Sequence, residues 1–154
     1  MKSSDLLLVI DFQNVYLPGN DWACPSMPGA IEHTRQLLSS SPSCRVLFTQ
    51  YLAARTPKGT WARYNEEYRS INEDPYLCDI VAPLKPFLKQ YPLAVKSTYS
   101  SLKSEEVLAA AMQTDTLVLT GVVSECCVLS TMMEAIDLGL QVIYLTDCVE
   151  RIYP

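Results

Sequence analysis

The stretch DTLVLTGVVSECCVLSTMMEAIDLGLQVIYLTD, residues 115–147, contains the pattern that decides the fold. DTLVLTGVV (115–123) predicts a strand, because short apolar runs are typical of strands that are buried on both faces. ECCVLSTMMEAIDLG (125–139) places apolar residues on one helical face and ends at Gly139, a residue type that often ends helices. QVIYLTD (141–147) predicts the next strand. This strand–helix–strand order indicates a unit of a parallel sheet.

The same alternation extends over the rest of the chain. Further strands are predicted at 5–11, 44–52 and 93–97, and helices at 26–40 and 102–112. Residues 76–91 have helical character that Pro83 and Pro86 interrupt. Residues 53–74 form a long polar and aromatic excursion, and loops of this length are often functional. We therefore predict an α/β, three-layer Rossmann-like fold in which helices flank a central, mostly parallel sheet, as a single domain over residues 1–154.

Composition and charge exclude several classes of partner. The net charge is −5, whereas nucleic acids and anionic membranes are bound by basic surfaces, so we expect neither partner. The N-terminal apolar run meets Asp11 too early for a signal peptide or a membrane span, which predicts a cytoplasmic protein. Six cysteines in such a chain predict free thiols. With one histidine and no CxxC pair, we expect no metal and no cofactor.

Three reactive side chains follow predicted strands. Asp11 ends the first strand, Lys96 ends the strand at 93–97, and Cys126 and Cys127 open the helix after 115–123. Sites in parallel sheets lie beyond the carboxyl ends of the strands, so these groups are expected to converge. A structural ion pair between the lysine and the aspartate is one interpretation. The other is a triad in which the cysteine is the nucleophile, the lysine favours its thiolate and the aspartate moves the proton.

The adjacent cysteines leave their own alternatives open. Ser124 is predicted to cap the helix, and a thiol in the first helical turn has a lowered pKa. Neighbouring helical positions point about 100° apart, so only one of Cys126 and Cys127 can face a given cleft. Two buried structural thiols, or a strained disulfide between the pair, are the competing interpretations. His33 lies on the polar side of a predicted helix, so a base is expected from Asp or Lys instead.

Three segments together resemble the isochorismatase-like cysteine hydrolases, the superfamily that includes nicotinamidases and N-carbamoyl amidases. LLVIDFQNVYL (7–17) resembles the Asp-x-Gln motif of that superfamily, and VKSTYSSL (95–102) resembles its lysine motif. LVLTGVVSECCVLSTMMEAIDLGLQVIYLTDCV (117–149) resembles its nucleophile segment, in which a cysteine stands six residues after a glycine and precedes a valine. By that spacing from Gly121, the resemblance selects Cys127.

The resemblance implies a fold, a reaction and a set of residues. It implies a catalytic triad of Asp11, Lys96 and Cys127. It also implies a cis peptide between Val122 and Val123, with the N–H groups of Val123 and Cys127 forming an oxyanion hole. The implied activity is hydrolysis of an amide C–N bond in a small molecule through a thioester. The alternative is a catalytically silent member that binds or has a structural role.

Departures from the superfamily narrow these expectations. FTQYLAARTPKG (48–59) lacks the histidine of the metal-binding nicotinamidases, which argues against a metal-assisted site. The cysteine favours acyl transfer over vinyl-ether cleavage. The chain stops at RIYP, so residues 1–154 are expected to lack the superfamily's C-terminal helix. Because parallel sheets are usually covered on both faces, we expect a homo-oligomer, a dimer or larger, in which a second copy supplies cover.

Aromatic residues of the first loop and of the excursion suit a small planar or apolar-bodied ligand. Packing under a loop or at a subunit contact is the competing interpretation of these rings. The supporting or substrate-pocket candidates are Gln13, Tyr16, Trp22, Trp61, Tyr64 and Tyr99.

Overall fold

A five-stranded sheet forms the centre of the computed structural model, which describes residues 1–152. Its strands are β1 (Asp5–Ile10), β2 (Arg45–Tyr51), β3 (Leu93–Lys96), β4 (Thr116–Gly121) and β5 (Gln141–Val149). They lie in the order β3-β2-β1-β4-β5, and each neighbouring pair is parallel. The predicted α/β fold with a mostly parallel sheet is confirmed.

Five α-helices connect and flank these strands. They are α1 (Met27–Ser39), α2 (Thr60–Glu67), α3 (Arg69–Asn72), α4 (Glu105–Ala111) and α5 (Leu129–Asp137). The excursion at 53–74 thus contains two short helices. Residues 76–91 contain only a 3-10 turn at Lys85–Lys89, because proline has no backbone N–H to donate within a helix. None of the helices within residues 1–152 is both long and apolar enough to cross a membrane.

The sheet has a buried cluster of apolar side chains on each face. Successive residues of a strand point to opposite faces, so Leu7 and Val9 join the cluster that contains α1, whereas Leu6 and Leu8 join the cluster that contains α4 and α5. Every residue of β1 is buried. Burying one such leucine contributes about 1.5–3 kcal/mol, which explains the uninterrupted apolar run of this central strand.

The carboxyl ends of β1 and β4 approach each other closely at Gly121. This residue pairs with Ile10 and has a φ of +123°, a region that favours glycine. A Cβ atom at position 121 would lie 2.1 Å from the carbonyl oxygen of Ile10. The missing side chain therefore allows the two strand ends to lie side by side where the candidate site begins.

Apolar side chains are exposed on the edge strand β5 and on the neighbouring helix α5. Ile143 of β5 is about half exposed, and so are Met133 and Ile136 of α5. The expectation that the chain lacks a further helix concerns its end, where residues 153–154 lie outside the described residues.

Candidate active site

Asp11 stands at the point where β1 ends. Its φ of +51° turns the chain away from the sheet, and its N–H donates to the carbonyl oxygen of Thr49 at 3.2 Å. The hydroxyl of Thr49 donates to Oδ1 at 2.7 Å. The side chain is fully buried. The second carboxylate oxygen, Oδ2, is thus left for the ion pair with Lys96.

Lys96 reaches that centre from the end of β3. Its Nζ lies 2.7 Å from Asp11 Oδ2 and donates at 2.9 Å to the carbonyl oxygens of Thr98 and Tyr99. Burial lowers the pKa of Lys96, but Asp11 and Cys127 raise it and prevail, so the net shift is upward. The amine is therefore held as an ammonium ion despite its burial, which is the usual requirement for a buried charge.

Cys127 enters the site from the loop after β4. The peptide between Val122 and Val123 is cis, and a π-helical turn at Ser124–Val128 leads into α5. The Sγ atom lies 3.4 Å from Lys96 Nζ, which donates to it, and the Asp11 carboxylate interacts electrostatically with the same sulfur. The structure therefore brings together the acid, the amine and the sulfur that the sequence places on three different strand ends.

The capping role predicted for Ser124 is wrong. Val123 holds the N-cap position, and no side chain caps the turn. The hydroxyl of Ser124 is instead hydrogen-bonded to that of Tyr144 at 2.8 Å. The π turn lets the chain enter α5 without a capping side chain, and no feature of the sequence pattern signals such a turn.

The predicted lowering of the thiol pKa is also wrong. Burial raises the pKa of Cys127, the Asp11 carboxylate raises it further, and the lowering by Lys96 does not compensate. Lys96 is already neutralised by Asp11 at 2.7 Å. The free protein therefore holds Cys127 as a thiol near the Asp11 carboxylate, a group that can accept its proton.

The two adjacent cysteines have different environments. Cys127 is buried against Lys96 and Asp11, whereas Cys126 is partly exposed and lacks those contacts among the hydrogen bonds of the described residues. Both are free thiols, and burial raises the pKa of Cys126 too. Both residues line the same cavity, contrary to the expectation that only one could face a given cleft, but only the sulfur of Cys127 reaches the lysine.

A cavity of about 340 Å³ opens above Cys127. Four of the predicted pocket residues line it, namely Tyr16, Trp22, Tyr64 and Tyr99. Trp61 lies behind this wall, with ring centroids 5.5 Å from Tyr64 and 4.9 Å from Tyr99, and borders an adjacent open groove. Val123 also lines the cavity, so one side of the cis peptide faces it.

Gln13 supports the site without lining the cavity. Its Nε2 donates to the carbonyl oxygens of Tyr51 at 3.0 Å and Cys78 at 2.7 Å, and its Oε1 accepts from the N–H of Tyr51 at 2.8 Å. The side chain therefore joins the segment after β1 to the end of β2 and to the chain near Cys78.

The cavity is also lined by residues that the sequence pattern did not predict as pocket residues: Asp21, Tyr68, Glu125 and Ile152, together with Cys126, which it offered only as the alternative to Cys127. Tyr68 belongs to the aromatic pattern of the excursion and could have been found there. Ile152 and Asp21 had no local signal, because only the tertiary fold places them beside the loop after β4. Within residues 1–152 no group of three or more His, Cys, Asp or Glu side chains is arranged to hold a metal ion.

The chain is an α/β protein with a parallel sheet, and a buried acid, amine and thiol lie together at the carboxyl end of that sheet. The isochorismatase domain family matches residues 5–154, nearly the whole chain, and the chain belongs to this family. The resemblance inferred from the three segments is thereby confirmed. None of the curated proteins matches the chain.

Several solved structures share the fold of this chain. A cysteine hydrolase from Pseudomonas syringae pv. phaseolicola 1448A is 18% identical, with a TM-score of 0.81 over 98% of this chain and 75% of that one. An isochorismatase-like hydrolase from Alkaliphilus metalliredigens is 19% identical, with a TM-score of 0.80 over 97% and 84%. A pyrazinamidase/nicotinamidase from Streptococcus mutans UA159 is 19% identical, with a TM-score of 0.78 over 97% and 89%. At such identities the likeness shows a shared fold.

Proposed function

We propose that the protein is a cysteine hydrolase that cleaves an amide C–N bond of a small molecule through a thioester on Cys127. The observation that carries this proposal is the position of Lys96 Nζ, 2.7 Å from Asp11 Oδ2 and 3.4 Å from Cys127 Sγ, beneath a cavity. Membership of the isochorismatase domain family supports hydrolysis. The finer assignment of an amide rests on the thiol, which suits acyl transfer.

The first half of the reaction forms the thioester. Asp11 accepts the thiol proton of Cys127, and Lys96 stabilises the thiolate as it attacks the carbonyl carbon. The N–H groups of Val123 and Cys127 stabilise the oxyanion, a type of contact worth roughly 10²–10³-fold per donor. The C–N bond then breaks, and Asp11 returns its proton to the departing amine.

The second half releases the acid. A water molecule gives a proton to Asp11 and its oxygen attacks the thioester carbonyl. The C–S bond breaks, the thiolate leaves, and the proton held by Asp11 restores the thiol. One carboxylate thus acts as base and acid in turn, which fits its ion pair with Lys96 and its electrostatic interaction with Cys127.

A panel of small carboxamides and ureido acids, assayed for ammonia release, tests this function. Cys127→Ala should abolish release, whereas Cys126→Ala, its matched neighbour, should retain most of it. Hydroxylamine should remove the acyl group as a hydroxamate, and without hydroxylamine mass spectrometry should find the acyl adduct on Cys127. Equal loss in both variants, or turnover by Cys127→Ala, would contradict the proposed nucleophile. Binding without release of ammonia by the wild type would favour the catalytically silent alternative.

Self-association is part of the same proposal. Leu129, Met133 and Ile136 are exposed apolar residues at helical spacing on α5, and Ile143 of the neighbouring β5 is exposed as well. An apolar stripe of this kind commonly packs against another protein surface. A second copy of this chain would cover these exposed side chains of α5 and β5.

A further inference from the structure

The cavity above Cys127 has walls made of aromatic rings. Trp22 is the central ring, with centroids 5.9 Å from Tyr16, 6.0 Å from Tyr64 and 5.2 Å from Tyr68. Tyr64 and Tyr68 are 4.7 Å apart and inclined by 52°, and Tyr99 completes the lining. Rings inclined to one another around a space present more than one π face to whatever occupies it.

The charges on this lining are all negative. Asp21 and Glu125 line the cavity, with Glu125 Oε1 already accepting from the N–H of Ile152, and no lysine or arginine lines it within the part of the chain that the structure describes. Lys96 lies below the floor, but it is 1% exposed and paired with Asp11, so the two charges offset each other. Burial keeps the phenols of Tyr16 and Tyr64 neutral by raising their pKa.

Faces of Trp and Tyr together with nearby carboxylates favour a cation and disfavour an anion. The negative face of each ring attracts an ammonium group within about 6 Å of its centroid. The aromatic rings accept only weak hydrogen bonds, so a weakly hydrated, methylated ammonium gains more from them than a primary amine does. The volume of about 340 Å³ limits the ligand to a small molecule.

We propose that the substrate carries a quaternary ammonium group, which Trp22, Tyr64 and Tyr68 hold while its amide carbon lies at Cys127. The assignment of an amide rests on the proposed function of this site. The recognition of the cation does not rest on it, because the rings and the carboxylates act on the ligand before any bond breaks. The two ideas can therefore be separated by measuring binding without turnover.

Two amides that differ only in charge test the proposal. Betaine amide carries a trimethylammonium group, and 3,3-dimethylbutanamide replaces the charged nitrogen by carbon at the same shape. Titration calorimetry with Cys127→Ala should show betaine amide binding at least about tenfold tighter, the size expected of a partly desolvated cation–π site. Equal or tighter binding of the neutral amide, or no binding of either amide, would overturn the proposal.

Variants identify the groups responsible. In the Cys127→Ala background, Trp22→Leu and Tyr68→Leu should each reduce the preference for betaine amide severalfold and leave the binding of 3,3-dimethylbutanamide less changed. Asp21→Asn should weaken the cation alone and flatten its dependence on salt. Tyr76→Leu is the matched control, since Tyr76 is 64% exposed and lies outside the cavity. A loss of preference in Tyr76→Leu equal to that in Trp22→Leu would contradict the assigned site.

Activity then separates this inference from the proposed function. Wild-type protein should release ammonia from betaine amide with a higher kcat/KM than from the neutral amide. Selective binding of the cation without ammonia release from any amide would overturn the hydrolase and keep the cation site. Hydrolysis with a preference for the neutral amide would overturn the cation site and keep the hydrolase.

Discussion

Lys96 Nζ and Asp11 Oδ2 are 2.7 Å apart, and their side chains are 1% and 0% exposed. Taking two charges out of water is costly, and their attraction offsets that cost only while both partners remain. The two backbone carbonyls that accept from Nζ, those of Thr98 and Tyr99, reduce the cost further. The pair therefore makes the stability of the fold depend on residues that the proposed reaction uses.

Lys96→Met should destabilise the protein by about 3–5 kcal/mol, because it leaves the Asp11 carboxylate buried without its cation. Urea denaturation of the wild type and the variant measures the change. The double variant Asp11→Asn/Lys96→Met should recover part of the loss, since the uncompensated charge is gone.

Lys103→Met is the matched control for this prediction. Lys103 pairs with Glu134 at 2.6 Å, but its side chain is 62% exposed, so its loss should cost less than about 1 kcal/mol. If both substitutions lowered the free energy of unfolding by similar amounts, burial would not be the reason that the Lys96–Asp11 pair matters for stability.

Gly121→Ala should destabilise the protein by at least about 2 kcal/mol and disturb the end of β1, because the added Cβ would lie 2.1 Å from the Ile10 carbonyl oxygen at a φ of +123°. The position of Asp11, which follows Ile10, should move as well, so activity should fall even in the folded fraction. Denaturation and ammonia release measure the two effects.

Gly29→Ala serves as the comparison. Gly29 lies in α1 with nothing within 4 Å of an added Cβ, so alanine there should be neutral or stabilising by up to about 1 kcal/mol. If both substitutions have the same effect, the close approach of β1 and β4 is not the cause.

The convergence of Asp11, Lys96 and Cys127 could be predicted because parallel topology places the carboxyl ends of all strands at one edge. The choice between the two cysteines could not come from periodicity, which leaves both orientations open. The resemblance selected Cys127, and the contact of its sulfur with Lys96 distinguishes it in the structure.

Local rules failed where tertiary contacts prevail. A helix start lowers a thiol pKa only where burial and a nearby carboxylate do not outweigh it, and neither the burial of Cys127 nor its proximity to Asp11 is written in the local sequence. The prediction that Ser124 caps the helix was wrong for a similar reason. A π turn replaces the usual first turn, and the hydroxyl of Ser124 is hydrogen-bonded to that of Tyr144 instead.

Met133→Glu should convert the proposed oligomer to monomers, because it puts a charge in the middle of the exposed stripe on α5. Light scattering coupled to size-exclusion chromatography measures the mass of each variant. Met112→Glu is the control, since Met112 is equally exposed at 54% but lies at the end of α4. A wild type that is monomeric at micromolar concentrations would contradict the expected association.

Asp11→Asn should increase the alkylation of Cys127 and strongly reduce its catalysis. After burial, the Asp11 carboxylate is the largest cause of the raised pKa of Cys127, so its neutralisation lowers that pKa and enlarges the thiolate fraction at a given pH. Hydrolysis should nevertheless fall by at least about 10²-fold, because no group remains to carry the proton to the amine. Iodoacetamide labelling across a pH series, read by mass spectrometry in a Cys126→Ala background, measures the change.

The direction of each pH effect follows from the folded pKa of Cys127 lying above the value of about 8.5 for an unfolded thiol. This difference stabilises the fold fully below pH 8.5, and the stabilisation is lost as the pH rises through the folded pKa. Labelling of the wild type should therefore be slow at neutral pH and rise only in alkaline solution.

Lys96→Met should change the labelling rate in the direction opposite to Asp11→Asn. Removal of the ammonium raises the pKa of Cys127 further and should slow labelling. Slower labelling in Asp11→Asn than in the wild type would show that the carboxylate does not hold the thiol in its protonated form.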